Sequence, residues 1–165
     1  MTTQTLPRIK VADEVWIATA LLHREQPKRE DFEIAEIVDR ANAEAVVVER
    51  RPGVYVHVVQ HCVANRPANP GNYRMLYETR PGHRRLFKTG DSFDPSRDGK
   101  KIVPDADEIP LRYADLLKWY REWDHKERQT PRKPDPLVAL RGSGRKIWSD
   151  EHADEYVSRL REGWE

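Results

Sequence analysis

His57 and His61 stand four residues apart in a segment of helical spacing, the separation at which two imidazoles can share one metal ion. The zinc-protease arrangement needs a glutamate directly after the first histidine, and Val58 holds that position. No third ligand follows, so DNA contact or plain exposure is the expected role of the pair. Asp105, Asp107 and Glu108 cluster after Pro104 as the carboxylates of metal-dependent nucleases do, but no lysine follows at the spacing that would stabilise an attacking water. They read as an acidic loop. Gly142-Ser143-Gly144-Arg145-Lys146 lacks the spacing of a phosphate-cradling loop and the Ser or Thr after lysine. Cys62, the only cysteine, falls on the inward side of its segment and reads as a small core residue. No nucleophile has a base and an orienting group beside it, so no catalysis, cofactor or metal is expected.

What remains is recognition chemistry. Gln60, Asn65 and Arg66 carry donor and acceptor patterns that suit base edges, and His57 and His61 can join them or meet phosphate. Net charge is +1 for the whole chain, but residues 50–101 hold eleven Lys and Arg against four Asp and Glu, whereas residues 1–49 hold six against ten. A basic block between acidic ones fits either a phosphate-facing surface or a solvated basic face.

The elements that position these residues follow from apolar spacing. Val11, Val15, Trp16, Ala18, Leu21 and Leu22 predict a first helix over residues 11–25, with Asp13 and Glu14 in its first turn. Phe32, Ile34, Ile37, Val38 and Ala41 predict a second. Val46-Val47-Val48 fits a short strand or an irregular packing segment. Residues 54–64 predict a third helix with Val54, Val58 and Cys62 inward, although their β-branched content makes a strand the rival. Residues 73–78 and 84–88 read as two strands around the Pro81-Gly82 turn. Residues 89–110 form a connector, residues 111–123 a helix that closes the domain, and residues 126–134 a charged, proline-bearing linker. The result is a mainly α protein with a small β-hairpin (α+β). Three helices followed by a hairpin is the winged-helix order, with Arg80, His83, Arg84 and Arg85 on a wing reaching for phosphates. The expected domains are a winged helix-turn-helix over 1–125, the linker, and an extended or helical tail over 135–165.

That tail joins three cues in order: Leu140-x-Gly142-Ser143-Gly144-Arg145, then Trp148 four residues after the second glycine, then Tyr156-Val157-x-x-Leu160-Arg161 before Trp164. In this it resembles the toxin-binding region of VapB-type antitoxins over about thirty residues. The amino-terminal part departs from that family, whose DNA-binding parts are swapped hairpins or ribbon-helix-helix dimers. The resemblance implies a PIN-domain ribonuclease as partner, with a basic side chain inserted among its Mg²⁺-binding carboxylates. Arg145 is the first choice for that group, with Arg141 and Lys146 behind it. Leu137, Leu140, Ile147, Trp148, Tyr156, Leu160 and Trp164 would anchor the tail, being more apolar surface than such a segment buries against itself.

The expected function is therefore inhibition by binding: a type II antitoxin that neutralises its toxin and binds double-stranded promoter DNA, as a homodimer or a toxin–antitoxin hetero-oligomer. The alternatives are a stand-alone winged-helix regulator or nuclease accessory domain with the tail packed in cis, and a metal enzyme using His57 and His61. Charged residues make up 35% and mean hydropathy is -0.87, composition that suits a globular portion joined to a solvated one. Without a secretory leader, disulfide or apolar span, the expected location is the cytoplasm, with no membrane contact.

Overall fold

The computed structural model of the chain describes residues 9–47, 51–129 and 153–162 and divides into two compact units, Met1–Gln129 and Thr130–Glu165. The apolar spacing that predicts the first helix reproduces its bounds, Val11–Glu25 (α1), but this helix is no surface element. Every residue from Ala12 to His23 is buried, because other elements cover α1 on all sides. An all-round burial of this kind makes α1 the central rod of the fold. Trp16 meets the Tyr120 ring edge-on at 5.8 Å, and His23 meets Phe32 at 4.9 Å.

Phe32 is not the start of the second helix. Phe32–Glu33 is a short strand (β1), and α2 runs Ile34–Glu44 behind it. Extended backbone at Phe32 lets the ring reach the core while its main chain pairs with Arg84. Glu33 then closes a capping box with Glu36, an acidic version of the Ser/Thr signal that marks helix starts. Val46 and Val47 pack on the core without forming a strand, and Val48 lies outside the described residues.

The third helix exists and the strand alternative fails. A short α-helix Gly53–Val56 (α3) continues into a π-helical turn His57–His61, ending before the expected Ala64. Val54, Val58 and Cys62 face inward as their spacing implies. The hairpin is present with shifted edges: β2 is Leu76–Arg80 and β3 is His83–Leu86. Its pairs run Leu76 with Leu86, Tyr77 with Arg85 and Glu78 with Arg84, and an irregularity at Thr79 precedes Arg80 with His83. Gly82 at the turn has φ +79°, which glycine adopts without the steric cost a Cβ would add. The antiparallel sheet has the order β1-β3-β2. Among the described residues the fold is thus five helices and a small three-stranded sheet, mixed α and β.

The connector over residues 89–110 packs on the domain as a structured strap, with Arg97 and Ile109 buried in it. A 3-10 turn Leu111–Tyr113 leads into α4, Ala114–Gln129, whose Leu116, Leu117 and Tyr120 are buried. The helix overruns the expected boundary at residue 125 by four residues, so the charged residues 126–129 are helix and not linker. In the second unit the described element is α5, Ala153–Glu162. No described helix is long and apolar enough to cross a membrane.

Candidate recognition surface

Ending α3 in a π turn widens the helix and leaves carbonyls without the regular i−4 donors. Two arginines from elsewhere in the chain fill that deficit. Arg97 donates to Gln60 O at 2.8 Å and His61 O at 2.8 Å at the end of the turn. Its guanidinium also donates to Arg66 O at 2.6 Å, Tyr73 O at 2.7 Å and Pro67 O at 3.2 Å. Arg84 donates to Val58 O at 3.1 Å and Val59 O at 3.3 Å from the sheet side. Both side chains are fully buried, and burial lowers both guanidinium pKa values. A cation at a helix carboxy terminus also meets the negative end of the helix dipole.

This arrangement corrects the wing assignment of Arg84 and Arg85. Arg84 points into the domain, with Glu78 3.6 Å away. Arg85 forms a bidentate pair with Asp91 at 2.7 and 2.8 Å and lies over the Tyr77 ring. Alternation along β3 sends these side chains to opposite faces of the sheet, and both faces are covered. Arg80 alone of the three arginines stays outside, with a side chain 63% exposed and Asp31 3.6 Å away. His83 sits 3.2 Å from the same carboxylate, whose pKa is lowered by the Thr79 hydroxyl and the neighbouring Arg80 against the opposing effect of burial. Asp31 thus offsets the charge of the turn.

The polar groups expected to face bases are also spent internally. Gln60 donates to Pro67 O at 2.6 Å. The Asn65 amide exchanges two 2.9 Å bonds with the backbone of Glu78, as a side chain imitating a strand neighbour. Arg66 pairs in bidentate fashion with the Glu78 carboxylate, whose pKa it lowers. Four more described cations of the basic block behave alike: Arg51 pairs with Glu14, Lys88 with Glu127 and Lys101 with Glu108, while Arg74 lies over Phe93. The block is largely internal wiring.

His57 and His61 do come together, with ring centroids 4.8 Å apart in a T-shaped contact. His57 Nδ1 lies 2.8 Å from Gly53 O, and partial burial lowers its pKa. His61 packs against the Gly71 backbone, where a Cβ would come within 2.4 Å of the imidazole's own Cβ. Its Nδ1 is buried without a partner. Among the described residues no group of three or more His, Cys, Asp or Glu is placed to hold a metal. The Cys62 thiol is buried and its pKa pushed up by that burial, which removes the thiolate a nucleophile needs. The acidic loop is held by two lysines: Lys101 bridges Asp105 and Glu108, and Lys10 also pairs with Glu108.

Arg97 escapes a reading of the sequence because its residue type implies exposure and nothing in Pro95-Ser96-Arg97 marks a buried hub. The outward side of α3 is also unexpected, since it shows Tyr55 at 57% and Val56 at 43% exposure. In the tail, α5 carries Tyr156, Val157 and Leu160, and Val157 is 44% exposed. Leu137, Leu140, Arg141, Arg145, Lys146, Ile147, Trp148 and Trp164 lie outside the described residues. What the described fold defines is a mixed α and β domain with an arginine-capped helix and a neighbouring apolar face. No family model, no curated protein and no solved structure matches the chain.

Proposed function

We propose that this chain is a non-catalytic antitoxin whose carboxy-terminal unit silences a PIN-domain ribonuclease. The observation that carries the reading is the division of the chain at Gln129 and Thr130, which assigns the whole resembling segment to its own unit. Within that unit α5 exposes Val157, an apolar side chain suited to a partner's groove. The first unit, for its part, draws its described core from Ile9 to Tyr120. Arg145 has the flanking Gly144 and the planar donor fork needed to enter a recessed carboxylate cluster.

The test is a pull-down from source-cell lysate with the full chain and with a version ending at Gln129, the end of α4. A small acidic-site ribonuclease should come down with the full chain alone and be inactive in that complex. Arg145→Ala should weaken its inhibition by roughly 30-fold or more, as loss of one buried charge partner does. Identical captures by both baits would defeat the reading.

A second reading, promoter binding by a winged helix, is favoured by the order of three helices and a hairpin. With Arg84 and Arg85 inside the domain, the wing contact falls to Arg80. Duplex binding followed against salt should then lose about one unit of log–log slope in Arg80→Ala. An unchanged slope removes the wing from the DNA reading.

A further inference from the structure

Between α2, the start of α3 and the hairpin turn lies an open groove of about 530 Å³. Its floor is apolar: Ile34 and Val38 stand one helical turn apart on α2, Ala35 lies beside them, and Tyr55 rises from α3. Tyr55 is 57% exposed, and the adjacent Val56 extends the apolar face. Glu33 and Asp39 line the groove on the α2 side and give it an acidic rim there, with Gly82 and His83 of the hairpin turn on the other side. Glu33 is committed to the cap of α2, whereas Asp39 is exposed and, among the described residues, makes no ion pair.

The charge of the rim decides between occupants. A phosphate backbone would be repelled by both carboxylates. Two copies meeting through this face would gather four carboxylates, two Glu33 and two Asp39, in one interface with two His83 between them, because a two-fold interface presents the same surface twice. A polypeptide with apolar anchors and Lys or Arg at its flanks satisfies floor and rim together. We propose that this groove docks such a segment of a partner protein: apolar side chains on Ile34, Val38 and Tyr55, and a basic flank on Asp39. The residues lining the groove all belong to the first unit, so the ribonuclease test can fail while this one succeeds.

The experiment uses the isotope-labelled full chain and two synthetic amphipathic peptides. They share leucines at i, i+3, i+4 and i+7, and one carries lysine flanks where the other carries glutamate. The lysine peptide should give saturable amide shifts centred on Ile34, Ala35, Val38 and Tyr55 in the micromolar range, and the glutamate peptide should bind at least about 10-fold more weakly. Asp39→Lys should erase or invert that preference. Tyr55→Ser should weaken both peptides with unchanged shifts for core amides such as Val58 and Leu86, which shows that the fold persists. Equal affinity for the two peptides, shifts centred elsewhere, or displacement of the lysine peptide by a duplex oligonucleotide would overturn the proposal. So would a concentration-dependent dimer that Tyr55→Ser abolishes.

Discussion

Arg97→Ala is expected to bring the full chain close to unfolding in buffer, with the largest fall in urea midpoint of any single substitution in the first unit. Five backbone carbonyls, those of Gln60, His61, Arg66, Pro67 and Tyr73, accept from this one guanidinium. Gln60 O, His61 O and Pro67 O keep a second donor in Val63 N, Tyr73 N and the Gln60 amide, whereas Arg66 O and Tyr73 O lose the Arg97 bond that each accepts, at about 1–3 kcal/mol apiece for an acceptor left unmade. A net loss of roughly 2–6 kcal/mol is large against the ~5–15 kcal/mol that holds a domain together. The lost fork would also release three segments at once: the end of the π turn, the loop 66–73 and the strap 89–110 at its turn Pro95–Arg97. Arg97→Lys keeps the charge but cannot reach five acceptors from one ammonium, so it should fall between wild type and alanine. Unfolding in urea, followed by tryptophan fluorescence, measures both variants. A loss under about 1 kcal/mol in Arg97→Ala would show that solvent satisfies these carbonyls unaided.

The same guanidiniums explain why the elements were legible in the sequence while much of the expected DNA site was not. Periodic apolar residues locate α1, and the Pro81-Gly82 turn locates the hairpin, since both signals are local. The two-residue β1 has no alternation to detect and exists only because β3 offers it a partner. The overrun of α4 arises because Lys126, Glu127, Arg128 and Gln129 are good helix formers that look like linker only by their charge. For the site, residue type misleads. Arginine and asparagine suit phosphates and bases, but here a π turn and the Glu78 strand present internal acceptors and donors that claim Arg84, Arg97, Asn65 and Arg66 first. A π turn has no spacing signature, so the demand it creates is visible only once the backbone is folded. The apolar outward side of α3 was hidden by the same averaging, because Tyr55 and Val56 are interleaved with the inward Val54 and Val58.

Asp13→Asn is expected to stabilise the protein at neutral pH, against the usual direction of changes at a buried position. The Asp13 carboxyl, in the first turn of α1, is fully buried and neither oxygen has a hydrogen-bond partner. Burial lifts its pKa from 3.8 to about 6; the charges of Lys101 and Lys10 act the other way, and those of Glu108 and Asp105 add to the rise. The folded state therefore holds a proton that the unfolded chain releases between these two values. Stability from this group is greatest below about pH 4, declines as pH rises to about 6, and is level above that. At about 1.36 kcal/mol per unit, the penalty at pH 7 is roughly 3 kcal/mol. Asparagine has the shape of the protonated acid and cannot ionise, so Asp13→Asn should match wild type near pH 4 and exceed it by about that amount at pH 7. Paired urea titrations at pH 4 and pH 7 read the difference directly. If the asparagine variant is weaker at pH 7, the carboxylate is held there as an anion by Lys101 and Lys10, and its role at the start of α1 is to anchor the Lys10–Glu108–Lys101 clamp.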